Sequence, residues 1–68
     1  MSEIKISIKA ARVNAGFTIV EAAKRLGISP STLVAWEKYP EKISAANQEK
    51  IASVYRISTD NIIFLPRN

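Results

Sequence analysis

The stretch GISPSTLVAWE, residues 27–37, constrains the fold of this 68-residue chain more than any other segment. Gly27 is suited to end a helix, because glycine adopts the left-handed backbone conformation without strain. Ser29 is a typical helix N-cap, and Pro30 fits the first helical position, where its missing N–H leaves no hydrogen bond unmade. A single residue separates Gly27 from Ser29, so the sequence predicts two helices that cross at a steep angle.

The helix before this turn also has a well-defined start. Thr18 and Glu21 have the spacing of a capping box, in which each side chain accepts a hydrogen bond from the other residue's backbone N–H. Ala22, Ala23 and Leu26 then share one face of the helix. The two small alanine side chains predict that the next helix crosses this one closely.

Helical periodicity continues over the rest of the chain, which predicts an all-α bundle of about five short helices with a helix-turn-helix over residues 18–38. The helix after the turn should run to about Lys38, because a residue that precedes proline, here Pro40, avoids the α conformation. Further helices are expected at about residues 7–14, 44–55 and 59–64, the last capped by Ser58 and ended by Pro66.

The N-terminal segment allows two structures. Residues 3–7 alternate in hydropathy as a strand does, but they can equally form the first turn of the helix over residues 7–14, which we favour slightly. On that helix we expect Ile8, Ala11 and Val13 to face inward.

Composition narrows the classes of function. The chain has no Cys, no His and only six carboxylates, so enzyme chemistry and metal binding have few residues to use, and we expect no cofactor. The net charge of +4 favours a polyanionic partner. Apolar runs are too short to span a membrane and no signal peptide is apparent, so we expect one soluble cytoplasmic domain over residues 1–68.

The helix over residues 30–38 should present one face to solvent. Leu33 and Trp36 point toward the preceding helix, and at 100° per residue the opposite face carries Ser31, Val34, Ala35 and Lys38. A protruding helix on a basic domain fits the major groove of double-stranded DNA.

With its flanking helices, this motif resembles the phage repressor/Cro-type helix-turn-helix family, also called the XRE family. The resemblance covers about residues 7–64 and rests on Arg12, Gly16-Phe17-Thr18, Ala23, Leu26-Gly27-Ile28-Ser29, Leu33, Trp36-Glu37, Ile51-Ala52, Ile57-Ser58 and Asp60. It implies a transcriptional regulator, repressor-like and of phage or prophage origin. Such a protein places its third helix on an operator and binds palindromic sites as a homodimer.

The resemblance also implies contacts with the DNA backbone. Backbone N–H groups at the start of the second helix, at Thr18 and Ile19, are expected to bind a phosphate, although the family often has Gln where Ile19 stands. The loop after the third helix carries Lys38 and Lys42 toward the backbone. The full set of expected DNA contacts is Thr18, Ile19, Ser29, Pro30, Ser31, Thr32, Val34, Ala35, Lys38, Lys42, Lys9 and Arg12.

An ion pair between the first and third helices is implied as well. Members of the family commonly pair an arginine of helix one with the glutamate that ends helix three, which are Arg12 and Glu37 here. We expect this pair to be partly buried and to hold the third helix. The alternative is two solvated charges worth about 0–1 kcal/mol.

Two features leave alternatives open. The exposed face of the third helix lacks the Gln, Arg, Asn or Lys residues that usually read bases, so a protein-interaction module on the same fold (an antitoxin, anti-repressor or adaptor) is the second hypothesis. Its contact residues would be the apolar Ile19, Val20, Val34 and Ala35, although Ile19 can equally pack under the first helix. The C-terminal run can close the core or form a dimer contact, and it consists of Ile62, Ile63, Phe64 and Leu65.

Overall fold

The computed structural model describes residues 4–65, which form four α-helices and two single turns of 3-10 helix. The α-helices are α1 (Ile8–Asn14), α2 (Ile19–Leu26), α3 (Pro30–Lys38) and α4 (Ala45–Tyr55), and the 3-10 turns are Pro40–Lys42 and Thr59–Asn61. The all-α fold with a helix-turn-helix is confirmed.

Each α-helix begins at a hydroxyl-bearing cap residue. The side chains of Ser7, Thr18, Ser29 and Ser44 each accept a hydrogen bond from the backbone N–H three residues further on. At the start of α2 both hydrogen bonds of the capping box form. Each such cap stabilises its helix by about 1 kcal/mol, which matters in helices of only 7–11 residues.

The sharp turn between α2 and α3 depends on Gly27, which has φ 74° and ends α2 in the left-handed conformation. Ala22 and Ala23 are fully buried, so no large side chain keeps the two helices apart. The core includes residues of this crossing and of the other helices. It is formed by the buried residues Ile8, Ala11, Ala22, Ala23, Leu26, Leu33, Ile43, Ile51, Tyr55 and Ile62.

The expectation that Val13 faces inward is wrong, because its side chain is 57% exposed. Ile8, Ala11 and Arg12 form the buried face of α1, and Val13 lies well over 90° around the helix from Ile8 at 100° per residue. A charged residue therefore takes the inward position next to the apolar ones.

Both ends of the described chain differ from the helical expectation. Residues 4–7 are not helical, because Ser7 caps α1, and Ile6 instead forms an isolated parallel β-bridge with Ile62. The Ile6 N–H donates to the Asn61 carbonyl and the Ile63 N–H donates to the Ile6 carbonyl, each at 2.9 Å. Because this pairing needs extended backbone, the helix expected over residues 59–64 is reduced to the turn Thr59–Asn61. Pro66 lies outside the described residues.

Candidate nucleic-acid interface

The face of α3 that points away from the core is exposed along its whole length. Leu33 is completely buried on the inner side, whereas Val34 is 53% exposed. The other residues expected on the outer face are exposed as well, and they are Ser31, Ala35 and Lys38. Pro30 is exposed and Thr32 is half-buried at the edges of this face.

At the start of α3, three hydroxyl groups bond to one another. The Ser29 Oγ accepts from the Thr32 N–H at 3.2 Å, and it lies 3.2 Å from Ser31 Oγ and 2.9 Å from Thr32 Oγ1. The spacing of these residues predicts the cap but not the cluster. Part of their hydrogen-bonding capacity is therefore used within the protein rather than being free for a partner.

Arg12 and Glu37 form the ion pair that joins α1 to the end of α3. The Arg12 Nε donates to Glu37 Oε2 at 2.7 Å, and Arg12 Nη1 donates to the Phe17 carbonyl at 2.9 Å. Their side chains are only 9% and 11% exposed. The expectation that Arg12 reaches a phosphate is not supported, because its guanidinium group is turned inward and engaged with these partners.

The Tyr55 side chain is the third polar group in this part of the core. Burial raises the pKa of Tyr55 to about 12, with the negative charge of Glu37 acting in the same direction and Arg12 opposing it. Its hydroxyl is buried without a hydrogen-bond partner among residues 4–65. The sequence pattern places Tyr55 in the core but does not show that its hydroxyl is unpaired.

The C-terminal end of α3 carries a cluster of two lysines and an aromatic ring. The Nζ atoms of Lys38 and Lys42 lie 5.4 and 5.5 Å from the centroid of the Tyr39 ring. All three residues are exposed, so the lysines remain available to an anionic partner. Tyr39 was not among the expected contacts, although an aromatic residue close to two lysines at a helix end is a visible signal.

At the start of α2, the groups that could bind a phosphate are backbone N–H groups rather than side chains. Ile19 packs half-buried against the core, which agrees with one of the two alternatives that the sequence leaves open for it, whereas Val20 is 65% exposed. The Glu21 carboxylate accepts from the Thr18 N–H at 2.9 Å, and this bond, followed by the one with the Thr18 hydroxyl, lowers the pKa of Glu21. A negative charge therefore lies beside the expected phosphate contact.

The C-terminal run belongs mainly to the core. Ile62 is buried, Ile63 and Phe64 are half-buried, and Leu65 is 74% exposed. Of the two roles that the sequence leaves open for this run, closing the core applies to Ile62, because its backbone pairs with Ile6 and its side chain is inside.

Within residues 4–65, no helix is long and apolar enough to cross a membrane. The same residues contain no group of three or more His, Cys, Asp or Glu side chains that could hold a metal ion.

Comparison with protein families settles what this arrangement is. The sequence model of the helix-turn-helix family HTH_3 matches residues 8–62, from the start of α1 to the β-bridge residue Ile62. The chain belongs to this helix-turn-helix family. Its members are DNA-binding regulators, so the protein is a regulator of that broad class. No curated protein and no solved structure gives a significant match to the chain.

Within this helix-turn-helix protein, α2 and α3 are the two helices of the motif and Gly27 makes its turn. Around the outer face of α3 the structure brings together Ser31, Val34, Ala35, Lys38 and Lys42. Lys9 is exposed on α1, outside the motif, and Arg12 lies inside the protein.

Proposed function

We propose that this helix-turn-helix protein is a sequence-specific transcriptional regulator of the repressor/Cro type, which places α3 in the major groove of an operator. The observation that carries the proposal is the exposed outer face of α3 next to the exposed lysines Lys38 and Lys42. A helix in the groove with cations on the adjacent backbone is the arrangement that positions a reading element on DNA.

The charge distribution supports DNA over other partners. The chain has a net charge of +4, and Glu37, the acidic residue of α3, is neutralised by Arg12. The outer end of α3 therefore presents Lys38 without an opposing charge from its own helix, whereas Lys42 shares the turn Pro40–Lys42 with the exposed Glu41. A duplex carries a negative charge for about every 1.7 Å of its axis, so this surface is complementary to it.

We also propose that the 68 residues act as one domain in the cytoplasm without a cofactor, and that the protein is of phage or prophage origin. A homodimer on a palindromic operator would double the contact with DNA. Leu65, with Ile63 and Phe64 beside it, is the exposed apolar contact proposed for that dimer. Sedimentation equilibrium of the wild type and of Leu65→Ser tests this, since the substitution should shift the protein to monomer.

A protein-interaction module on the same fold is the second candidate. The specific observation in its favour is that two valines of the motif, Val20 and Val34, expose more than half of their surface. The half-burial of Ile19 removes one of the apolar residues on which that candidate relies.

Fluorescence anisotropy tests the proposed function. The protein is titrated onto a duplex from upstream of its own gene and onto a scrambled duplex of equal composition, over a series of salt concentrations. We expect tighter binding to the upstream duplex and a steep loss of affinity as salt rises. Weak and equal binding to both duplexes would contradict the proposal and favour a protein partner.

A further inference from the structure

The centre of the outer face of α3 is apolar. Val34 and Ala35 are exposed in the middle of the helix, with Ser31 one turn earlier and Lys38 one turn later. Neither central side chain has a hydrogen-bond donor or acceptor. The Ser31 hydroxyl lies within hydrogen-bond distance of Ser29, so part of the hydrogen-bonding capacity before the centre is used inside the protein.

Only one feature of the major groove suits such a surface. Base edges there present donors and acceptors, except at the C5 position of pyrimidines, where thymine carries a methyl group. Cytosine methylated at C5 carries the same group at the same position. An apolar side chain gains free energy by covering a methyl group and gains nothing from the polar edges.

We infer that this protein reads its operator through C5-methyl groups of pyrimidines, which Val34 and Ala35 cover while Lys38 and Lys42 bind the adjacent backbone. The inference rests on the proposed function and names the chemistry that the site recognises. Thymine and 5-methylcytosine are its two possible sources, and both offer the same contact.

Charge decides between DNA and a protein as the occupant of this face. The apolar centre is bordered by Lys38, and a second ammonium group, that of Lys42, lies near the same Tyr39 ring. Glu37 is paired with Arg12 and is nearly buried, so the acidic residue of α3 does not oppose a phosphate. An apolar strip next to cations matches methyl groups that lie between phosphate backbones.

The test begins with the duplex that the wild-type protein selects from a random pool. Each thymine is replaced in turn by deoxyuridine, which removes the methyl group and leaves every hydrogen-bonding group in place. We expect a three- to fivefold loss of affinity at one or two positions in each site, which is the size expected for about one buried methyl group, and little change elsewhere.

Thymine and 5-methylcytosine are distinguished at the positions where deoxyuridine weakens binding. Exchange of the T·A pair for C·G should weaken binding, and exchange for 5-methylcytosine·G should restore most of the affinity if the methyl group alone is read. Restoration means that either source serves. If the 5-methylcytosine duplex stays as weak as the unmethylated one, the site is specific for thymine.

Val34→Ala is the decisive variant, and Val13→Ala on α1 is its matched control, because the two valines are 53% and 57% exposed. With Val34→Ala the loss caused by deoxyuridine should shrink to less than about 1.5-fold at one position, whereas with Val13→Ala it should remain three- to fivefold. Circular dichroism verifies that both variants are folded.

Three results would overturn the inference. Equal affinity for thymine and deoxyuridine duplexes at every position excludes methyl readout while leaving the proposed function intact. An undiminished deoxyuridine effect in Val34→Ala, together with the same result in Ala35→Gly, assigns the methyl contact to residues elsewhere. Failure to select any duplex overturns the proposed function and the inference together, and then a protein partner is the occupant to seek.

Discussion

At the scale of the residue, Arg12 links the stability of the fold to the position of α3, the helix proposed to contact DNA. Its guanidinium group holds both Glu37, near the end of α3, and the Phe17 carbonyl, just before α2. The Arg12 side chain therefore helps to fix the position of α3 relative to the start of α2. In the proposed complex with DNA, Arg12 would act by positioning α3, because its guanidinium group is turned inward.

Breaking this pair should destabilise the protein strongly. Arg12→Met leaves the Glu37 carboxylate nearly buried without an opposite charge, and Glu37→Gln does the same to the Arg12 guanidinium group. We expect the free energy of unfolding to fall by about 3–5 kcal/mol in either variant. Since the free energy of unfolding of a small domain is only about 5–15 kcal/mol, we expect either variant to lose a large fraction of its stability. Urea denaturation at 25 °C measures the loss.

Two controls accompany this measurement. Glu49→Gln, at an exposed position of α4, should change the stability by less than about 0.5 kcal/mol. The double variant Arg12→Met, Glu37→Leu should recover most of the stability, because an apolar pair of similar volume leaves no buried charge. Single variants within about 1 kcal/mol of the wild type would show instead that the two charges are solvated.

Tyr55 gives a prediction of the opposite sign. Its hydroxyl is buried and has no partner among residues 4–65, so Tyr55→Phe should leave the stability unchanged or raise it by up to about 1 kcal/mol. A loss of more than about 1 kcal/mol would mean that the hydroxyl makes a hydrogen bond after all.

The same residue predicts a dependence on alkaline pH. The pKa of Tyr55 is raised from 10.0 to about 12 in the folded protein, so the folded state holds this proton more tightly than the unfolded state does. Its contribution is complete below pH 10 and is lost as the pH rises toward 12. Urea denaturation from pH 9 to pH 12 should show a steeper decline in the wild type than in Tyr55→Phe; parallel declines would contradict the assignment.

At the scale of the element, the ends of the helices are where the backbone is most constrained. Arg56 ends α4 in the left-handed conformation with φ 56° and ψ 47°, a region that glycine enters without strain. We expect Arg56→Gly to raise the free energy of unfolding by about 0.5–1 kcal/mol. Thermal denaturation followed by circular dichroism measures the change.

Gly27→Ala is the matched substitution in the reverse direction. An added Cβ would lie 3.5 Å from Lys50 Nζ, an ordinary contact, so the backbone strain at φ 74° is isolated. The variant should lose about 1 kcal/mol. If Arg56→Gly is destabilising, or if Gly27→Ala is not, the left-handed helix ends do not determine the stability as described.

The lysines at the end of α3 should contribute affinity without sequence preference. Lys38→Ala and Lys42→Ala should each weaken binding to all duplexes by a similar factor and reduce the slope of log affinity against log salt by about 1. Lys24→Ala, at an exposed position of α2, is the control and should leave the slope unchanged. A change in the preferred sequence with Lys38→Ala would instead assign that lysine to base contact.

At the scale of the whole molecule, local signals in the sequence predict the four α-helices. Long-range pairing explains where the structure differs from the prediction. The caps at Ser7, Thr18, Ser29 and Ser44 need only neighbours three residues away, so their positions were predictable. The alternation over residues 3–7 allows an extended segment, but its partner Ile62 lies far away in the chain, and no local pattern identifies that partner.

In the candidate site, too, some positions follow from local helix geometry and others depend on a distant partner. The outer face of α3 follows from helix geometry alone, and Ser31, Val34, Ala35 and Lys38 are exposed as that geometry predicts. The inward turn of Arg12 follows from its partner Glu37, which is 25 residues away. The apolar character of Val13 suggests a core position, whereas helix geometry and the ion pair make Arg12 the residue that is buried.

The central claim is that α3 reads base pairs in the major groove, and selection of binding sites from a random duplex library tests it most directly. Wild type and Ala35→Gln are selected in parallel, because a glutamine in the centre of the outer face can form the bidentate contact that favours adenine. We predict that both enrich related sequences that differ at one base pair in each half-site, with adenine gained by the variant. Enrichment of identical sequences by the two proteins, or of none by either, would contradict the claim.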